Sequence, residues 1–148
     1  MLLEKDNIQY RGFHNIYDEQ GNAIGFEIRF RMHYYRGLWL SQIRVGRVIV
    51  DGEEFLADSG LVTWIIRGKE YTPAEMAEEN KEMWPMNEVA TIRVKKPGGL
   101  SQGFHDVALR WGWSSSYMPP EMENFDDSKE SFAMMRKSNT SKRRMLIV

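Results

Sequence analysis

The sequence predicts a mainly β chain: an antiparallel β-sandwich with one short helix and long loops. Residues 23–33 set Ile24, Phe26, Ile28, Phe30 and Met32 alternately against Gly25, Glu27, Arg29, Arg31 and His33, the period of two of a half-buried strand. Comparable short segments recur at 44–50, 61–66, 89–95 and 103–113, separated by glycine-bearing turns, which is the spacing of a sandwich. Only one stretch carries the start signal of a helix.

Taken in order, Gln20-Gly21-Asn22 is turn chemistry, so residues 8–17 are expected to pair with the first long strand as a hairpin. The 44–50 strand ends at Asp51-Gly52, a dipeptide suited to positive φ, and the 61–66 strand at Arg67-Gly68-Lys69. Thr72-Pro73-Ala74-Glu75 places a capping hydroxyl, a proline at the first helical position and a glutamate three residues beyond the cap, which predicts a helix over 73–81. Pro97-Gly98-Gly99 stops the 89–95 strand. In 103–113, Val107, Leu109, Trp111 and Trp113 share one face. Residues 114–141 lose all periodicity and are read as irregular and partner-contacting, since an internal connection of this length is usually disordered or functional. The final apolar run, 145–148, is either a packed edge strand or a frayed tail. No repeat or second domain is visible, and residues 1–148 read as one sandwich domain.

A chain of 148 residues buries roughly 70% of its unfolded surface and needs no staple. Its longest apolar runs are too short to span a bilayer, and the N-terminus lacks the basic start and apolar stretch of a secretion signal. With no cysteine, disulfides and thiolate metal sites are excluded and a reducing cytoplasm is the expected setting. A net charge of −1 supplies no field for nucleic acid or anionic lipid. The acidic cluster Glu75, Glu78, Glu79, Glu82 and the basic one at 136–144 read as solvated surface.

No catalytic residue and no metal ligand is assigned to the chain. His14, His33 and His105 lie in separate segments without metal-motif spacing. Asp51-Gly52-Glu53-Glu54 lacks the alternating ligands of a calcium loop and reads as a hairpin turn. Lys96-Pro97-Gly98-Gly99-Leu100 is not a phosphate loop, and no serine sits in a nucleophile motif. Two aromatic-rich segments stand out instead: 34–41, with Tyr34, Tyr35, Arg36 and Trp39, and 111–119, with Tyr117, Met118 and Pro119. Aromatics, methionine and arginine are the residue types enriched where surfaces meet, and aromatic faces beside arginine equally suit stacking on a sugar or a phenolic ring. The alternative is that these side chains fold back as caps on the ends of the sandwich.

Read in order, Tyr34-Tyr35-Arg36-Gly37-Leu38-Trp39-Leu40-Ser41, Val50-Asp51-Gly52-Glu53-Glu54, Lys69-Glu70-Tyr71-Thr72, Lys96-Pro97-Gly98-Gly99-Leu100, Ser116-Tyr117-Met118-Pro119 and the closing Arg143-Arg144-Met145-Leu146-Ile147-Val148 form a series. The series resembles the small beta subunit of the C-glycoside deglycosidases. That resemblance implies an accessory subunit of a heteromeric carbon–carbon lyase acting on 3-keto aryl C-glycosides, such as those of flavonoids, to give the aglycone and a 1,5-anhydro-hex-1-en-3-ulose. It further implies a partner alpha subunit with a sugar isomerase-like TIM barrel that holds a divalent metal, Mn2+, and the acid and base groups. The expected substrate-binding or interface residues here are Tyr34, Tyr35, Arg36, Trp39, Tyr117, Met118 and Pro119. The competing readings are a free-standing carbohydrate-binding sandwich using the same aromatics and a purely structural assembly module.

Overall fold

The computed structural model describes residues 8–9, 11–31, 37–113 and 138–147, with side chains of the last stretch described from 142 onward. Two antiparallel sheets form the fold. One has the strand order β1-β2-β9-β6-β7 and the other β11-β10-β4-β5, and a two-stranded ribbon joins β3 to β8. The strands are β1 (His14–Tyr17), β2 (Ala23–Arg31), β3 (Leu38–Trp39), β4 (Ile43–Val50), β5 (Glu53–Phe55), β6 (Val62–Ile66), β7 (Lys69–Tyr71), β8 (Met83–Trp84), β9 (Val89–Lys95), β10 (Gly103–Trp113) and β11 (Ser138–Ile147). The helix α1 spans Pro73–Glu78. The mainly β, antiparallel architecture expected from the alternation is the one observed.

Alternation places Phe26, Ile28 and Phe30 of β2, Ile92 and Val94 of β9, and Val107, Leu109 and Trp111 of β10 in a single buried core. Sheet meets sheet through rings: Phe26 lies edge-on to Phe55 at 5.6 Å, and Phe30 edge-on to Trp111 at 5.1 Å between centroids. Ile24 belongs to the same alternating face yet is 45% exposed, because the core begins at Phe26, where the opposing sheet supplies Phe55. Met32 and His33, expected to end this strand, lie outside the described residues.

Both predicted tight turns close hairpins. Asp51 and Arg67 adopt positive φ (50° and 53°), each followed by a positive-φ glycine, so the chain folds straight back into the short strands β5 and β7. Such left-handed pairs match the twist of a two-residue hairpin. The Thr72 hydroxyl accepts from the Glu75 N–H, and the Glu75 carboxylate accepts from the Thr72 N–H. That reciprocal cap holds the Glu75 carboxyl below the usual range through the Thr72 backbone bond first.

Two expectations are corrected. The helix ends at Glu78 and not at Lys81. Continuing it would bring Glu75, Glu78, Glu79 and Glu82 together at spacings of three and four and crowd glutamates at the negative end of the helix dipole. The stretch expected to be irregular, 114–141, contributes its last four residues to β11, where Ser138 to Ser141 pair with Gly112 to Leu109. An edge strand pairs through its backbone, so polar side chains are compatible with it even where no apolar period marks it. The apolar end is packed: Met145 and Ile147 are buried.

Candidate functional site

The chain leaves β2 at Arg31 and β10 at Trp113, and the two departures occur at one end of the sandwich. Phe30 and Trp111, each one or two residues short of its strand's end, are in ring contact. In sequence, the aromatic segment 34–41 follows the exit from β2, and the segment 111–119 takes in the exit from β10. Trp84 joins Phe30 and Trp111 in an aromatic base, at 6.0 Å from Phe30, 5.7 Å from Trp64 and 5.7 Å from Trp111, with Trp113 stacked on Trp111 at 5.0 Å. The Trp84 indole N–H donates to the Glu88 carbonyl at 2.8 Å, which satisfies its polar edge inside the cluster.

The ribbon of β3 and β8 lies over this base. Leu38 pairs with Trp84 and Trp39 with Met83, and the short turn after Trp39 is tied down by Leu40 N–H to the Glu82 carbonyl (3.0 Å) and Ser41 N–H to the Glu79 carbonyl (2.9 Å). Period-two alternation sorts the segment. Leu38 and Leu40 are buried, whereas Trp39 between them is 43% exposed. Met86, in the turn following β8, is also exposed. Capping therefore accounts for Leu38, Leu40, Trp111 and Trp113, but not for Trp39. Of the other residues chosen from sequence, Tyr34, Tyr35 and Arg36, and Tyr117, Met118 and Pro119, lie outside the described residues.

The opposite end carries a polar clasp that sequence reading missed. His105, buried at 6% exposure, faces the Asp51 carboxylate through Nδ1 at 2.6 Å and the Ser101 carbonyl through Nε2 at 2.7 Å. Both partners accept, so both contacts are hydrogen bonds when each ring nitrogen carries a hydrogen, and the arrangement favours the imidazolium form. Burial pulls the His105 pKa down, but the Ser101 and Asp51 hydrogen bonds and the Asp51 charge outweigh it, and the net shift is upward. Asp51 is held below the usual carboxylate range by the Asp106 backbone N–H first and by His105 next. Beside it, the Asn15 side chain both donates to the Leu100 carbonyl and accepts from the Leu100 N–H, each at 2.8 Å. Lys96 reaches Glu53 at 2.8 Å.

This clasp explains two of the recognised motifs in structural terms. Val50-Asp51-Gly52-Glu53-Glu54 and Lys96-Pro97-Gly98-Gly99-Leu100 are the two turns that the clasp joins. Gly99, at φ 61°, has no room for a side chain, since a Cβ there would lie 2.6 Å from the Asn15 amide oxygen. Among the described residues, no group of three or more His, Asp or Glu side chains stands together as a metal site. No helix among them is long and apolar enough to cross a membrane.

Comparison with known proteins decides the family. Residues 3–117 match the model of the C-glycoside deglycosidase beta subunit. The chain belongs to this family. It is also 42% identical, over 149 aligned residues spanning 99% of this chain and all of the relative, to the C-glycoside deglycosidase beta subunit of Eubacterium cellulosolvens. Both the clasp and the ribbon fall inside the stretch matched by the family model, and so does the exit from β10.

Proposed function

We propose that this chain is the beta subunit of a heteromeric lyase that cleaves the carbon–carbon bond of 3-keto aryl C-glycosides, flavonoid C-glycosides among them. In this reading the chain stabilises the complex and shapes the entrance to an active site whose divalent metal, Mn2+, and acid and base groups belong to a TIM-barrel alpha subunit. The reaction removes the proton at C2, acidified by the neighbouring C3 ketone, and breaks the C1–aryl bond as the aryl carbon takes up a proton. The products are the free aglycone and the 1,5-anhydro-hex-1-en-3-ulose, with atoms balanced by elimination. No step is carried by a residue of this chain.

The observation that carries the reading is the shared exit of β2 and β10 at one aromatic end, with Trp39 exposed above it. Family membership supports the role as a subunit, and an indole is the surface that suits a flat phenolic aglycone or a barrel mouth. The contribution expected of such an end is to exclude water and position the aryl ring. Tyr35 and Arg36, with Tyr117, Met118 and Pro119, belong to the same proposed junction.

The test is turnover of a 3-keto C-glycoside by the reconstituted complex bearing Trp39→Ala, with assembly measured separately. A fall of tenfold or more in kcat/KM with assembly intact is expected. Wild-type turnover in an intact complex removes Trp39 from the entrance, and a chain that binds sugar alone and ignores the alpha subunit returns the free-standing binding module.

A further inference from the structure

The strand that carries Trp39, β3, is two residues long, and a two-stranded ribbon this short fixes little by itself. The Trp39 N–H finds its acceptor in a side chain: it donates to Gln42 Oε1 at 3.0 Å. An N–H only donates, so the amide oxygen of Gln42 is the atom turned toward it. Trp39 is held extended there, at φ −65° and ψ 143°. The residues between are fixed as well. Leu40 and Ser41 bond to the Glu82 and Glu79 carbonyls, and the Ser41 carbonyl accepts from Arg44 Nη1 at 2.9 Å. One residue beyond Gln42, Ile43 stands opposite Trp113, so this pinned turn sits at the end of the sandwich where β10 leaves.

Directly opposite residues of an antiparallel pair share a face. Leu38 and Trp84 are buried, so Trp39 and Met83 share the outward face of the ribbon. A Cβ on Gly37 would lie 3.1 Å from Met83 Cε, which places the Met83 side chain over Gly37, next to Trp39 on that face. The rotamers open to an exposed indole depend on the φ and ψ of its own backbone. Gln42 fixes that backbone, and Met83 bounds one side of the space the indole can sweep. We infer that Gln42 is a positioning residue for the reaction: by holding the Trp39 N–H, its amide oxygen sets the indole in one direction before the aryl ring arrives. Less ordering is then left to be done on binding. The inference rests on the reading of Trp39 as part of the entrance, and it assigns Gln42 no contact with the substrate.

The experiment compares Gln42→Met, which keeps the length of the side chain and loses the acceptor, with Gln42→Glu, which keeps an acceptor. Each is placed in the reconstituted complex alone and together with Trp39→Ala, and kcat/KM for a 3-keto C-glycoside is measured, with assembly checked separately. Gln42→Met is expected to lower kcat/KM by ~3- to 10-fold, the scale of one net hydrogen bond. Gln42→Glu is expected to recover most of that loss. In the Trp39→Ala background Gln42→Met is expected to add nothing, because a residue that acts through another is not additive with it. The second measurement is fluorine NMR of the complex with this chain labelled with fluorotryptophan, the Trp39 resonance being identified by its loss in Trp39→Phe. It is expected to shift or broaden in Gln42→Met while those of the buried Trp64, Trp84 and Trp111 stay, which separates a moved indole from a disturbed fold. Gln42→Leu, also without an acceptor, replaces Gln42→Met if that variant does not assemble. A loss of less than about twofold in Gln42→Met, or its full effect on top of Trp39→Ala, overturns the inference and leaves the entrance reading standing. An equal loss in Gln42→Glu, or an unmoved Trp39 resonance, does the same. Wild-type turnover by Trp39→Ala overturns both.

Discussion

His105 and Asp51, separated by 54 positions in sequence, are joined at 2.6 Å, and the imidazole's other nitrogen donates to Ser101. Because the folded His105 pKa is raised, its contribution to stability is fully present below the unfolded value of 6.5 and is lost as pH rises through the higher folded value. The folded Asp51 pKa is lowered, so its contribution is present above 3.8 and is lost as pH falls through the lower folded value. The clasp is therefore strongest between the two. Melting temperature measured against pH is expected to decline above about 6.5, and that decline is expected to flatten in His105→Asn. An unchanged alkaline slope in the variant overturns the assignment.

Replacing His105 by Ala is expected to cost about 1–3 kcal/mol in denaturant unfolding at pH 6, the cost of leaving buried polar groups unpaired. The value sits below that of a fully buried ion pair because the Asp51 side chain is 49% exposed and regains water.

Gly99→Ala is expected to destabilise by about 1–3 kcal/mol. The residue lies at φ 61° and its new methyl would press on the Asn15 amide. Asn15→Ala removes that obstacle but also two hydrogen bonds to Leu100, so the double variant is expected to be less than additive in urea unfolding.

Trp111 and Trp39 separate stability from function. Trp111 is fully buried against Phe30, Trp84 and Trp113, and Trp111→Ala is expected to cost about 3–5 kcal/mol. Trp39→Ala, at an exposed site, is expected to shift unfolding by less than about 1 kcal/mol, its effect falling on turnover of the assembled complex. A large loss of stability in Trp39→Ala overturns this division.

At Gly46 the sheet has a bulge: β4 and β10 shift register between Leu109 and Trp111, and a Cβ on Gly46 would run into the Arg110 carbonyl. Gly46→Ala is expected to lower the melting temperature by several degrees, because the obstruction is backbone and cannot rotate away.

Much of this molecule was legible one segment at a time. The alternation of Phe26, Ile28 and Phe30, the Asp51-Gly52 turn and the Thr72–Glu75 cap are each written in neighbouring residues, and each appears where the sequence puts it. The two-residue strands β3 and β8 were not legible, since nothing in Leu38-Trp39 or Met83-Trp84 forms a strand until the other is alongside. The polar start of β11 was hidden for the same reason: its partner, β10, supplies the register.

By itself the sequence determined the fold class, the tight turns, the helix start and, through an ordered set of motifs, the family. Those properties depend on local φ/ψ preference and on the period of burial, which contiguous residues express. Only the tertiary structure decided that Trp39 faces outward while Leu38 and Leu40 do not, that the exits of β2 and β10 share one end, and that two of the recognised motifs form a clasp at the other. Those facts depend on which strands become neighbours, and hydrogen bonds such as Asn15 to Leu100 or His105 to Asp51 exist only once distant segments have been brought within 3 Å.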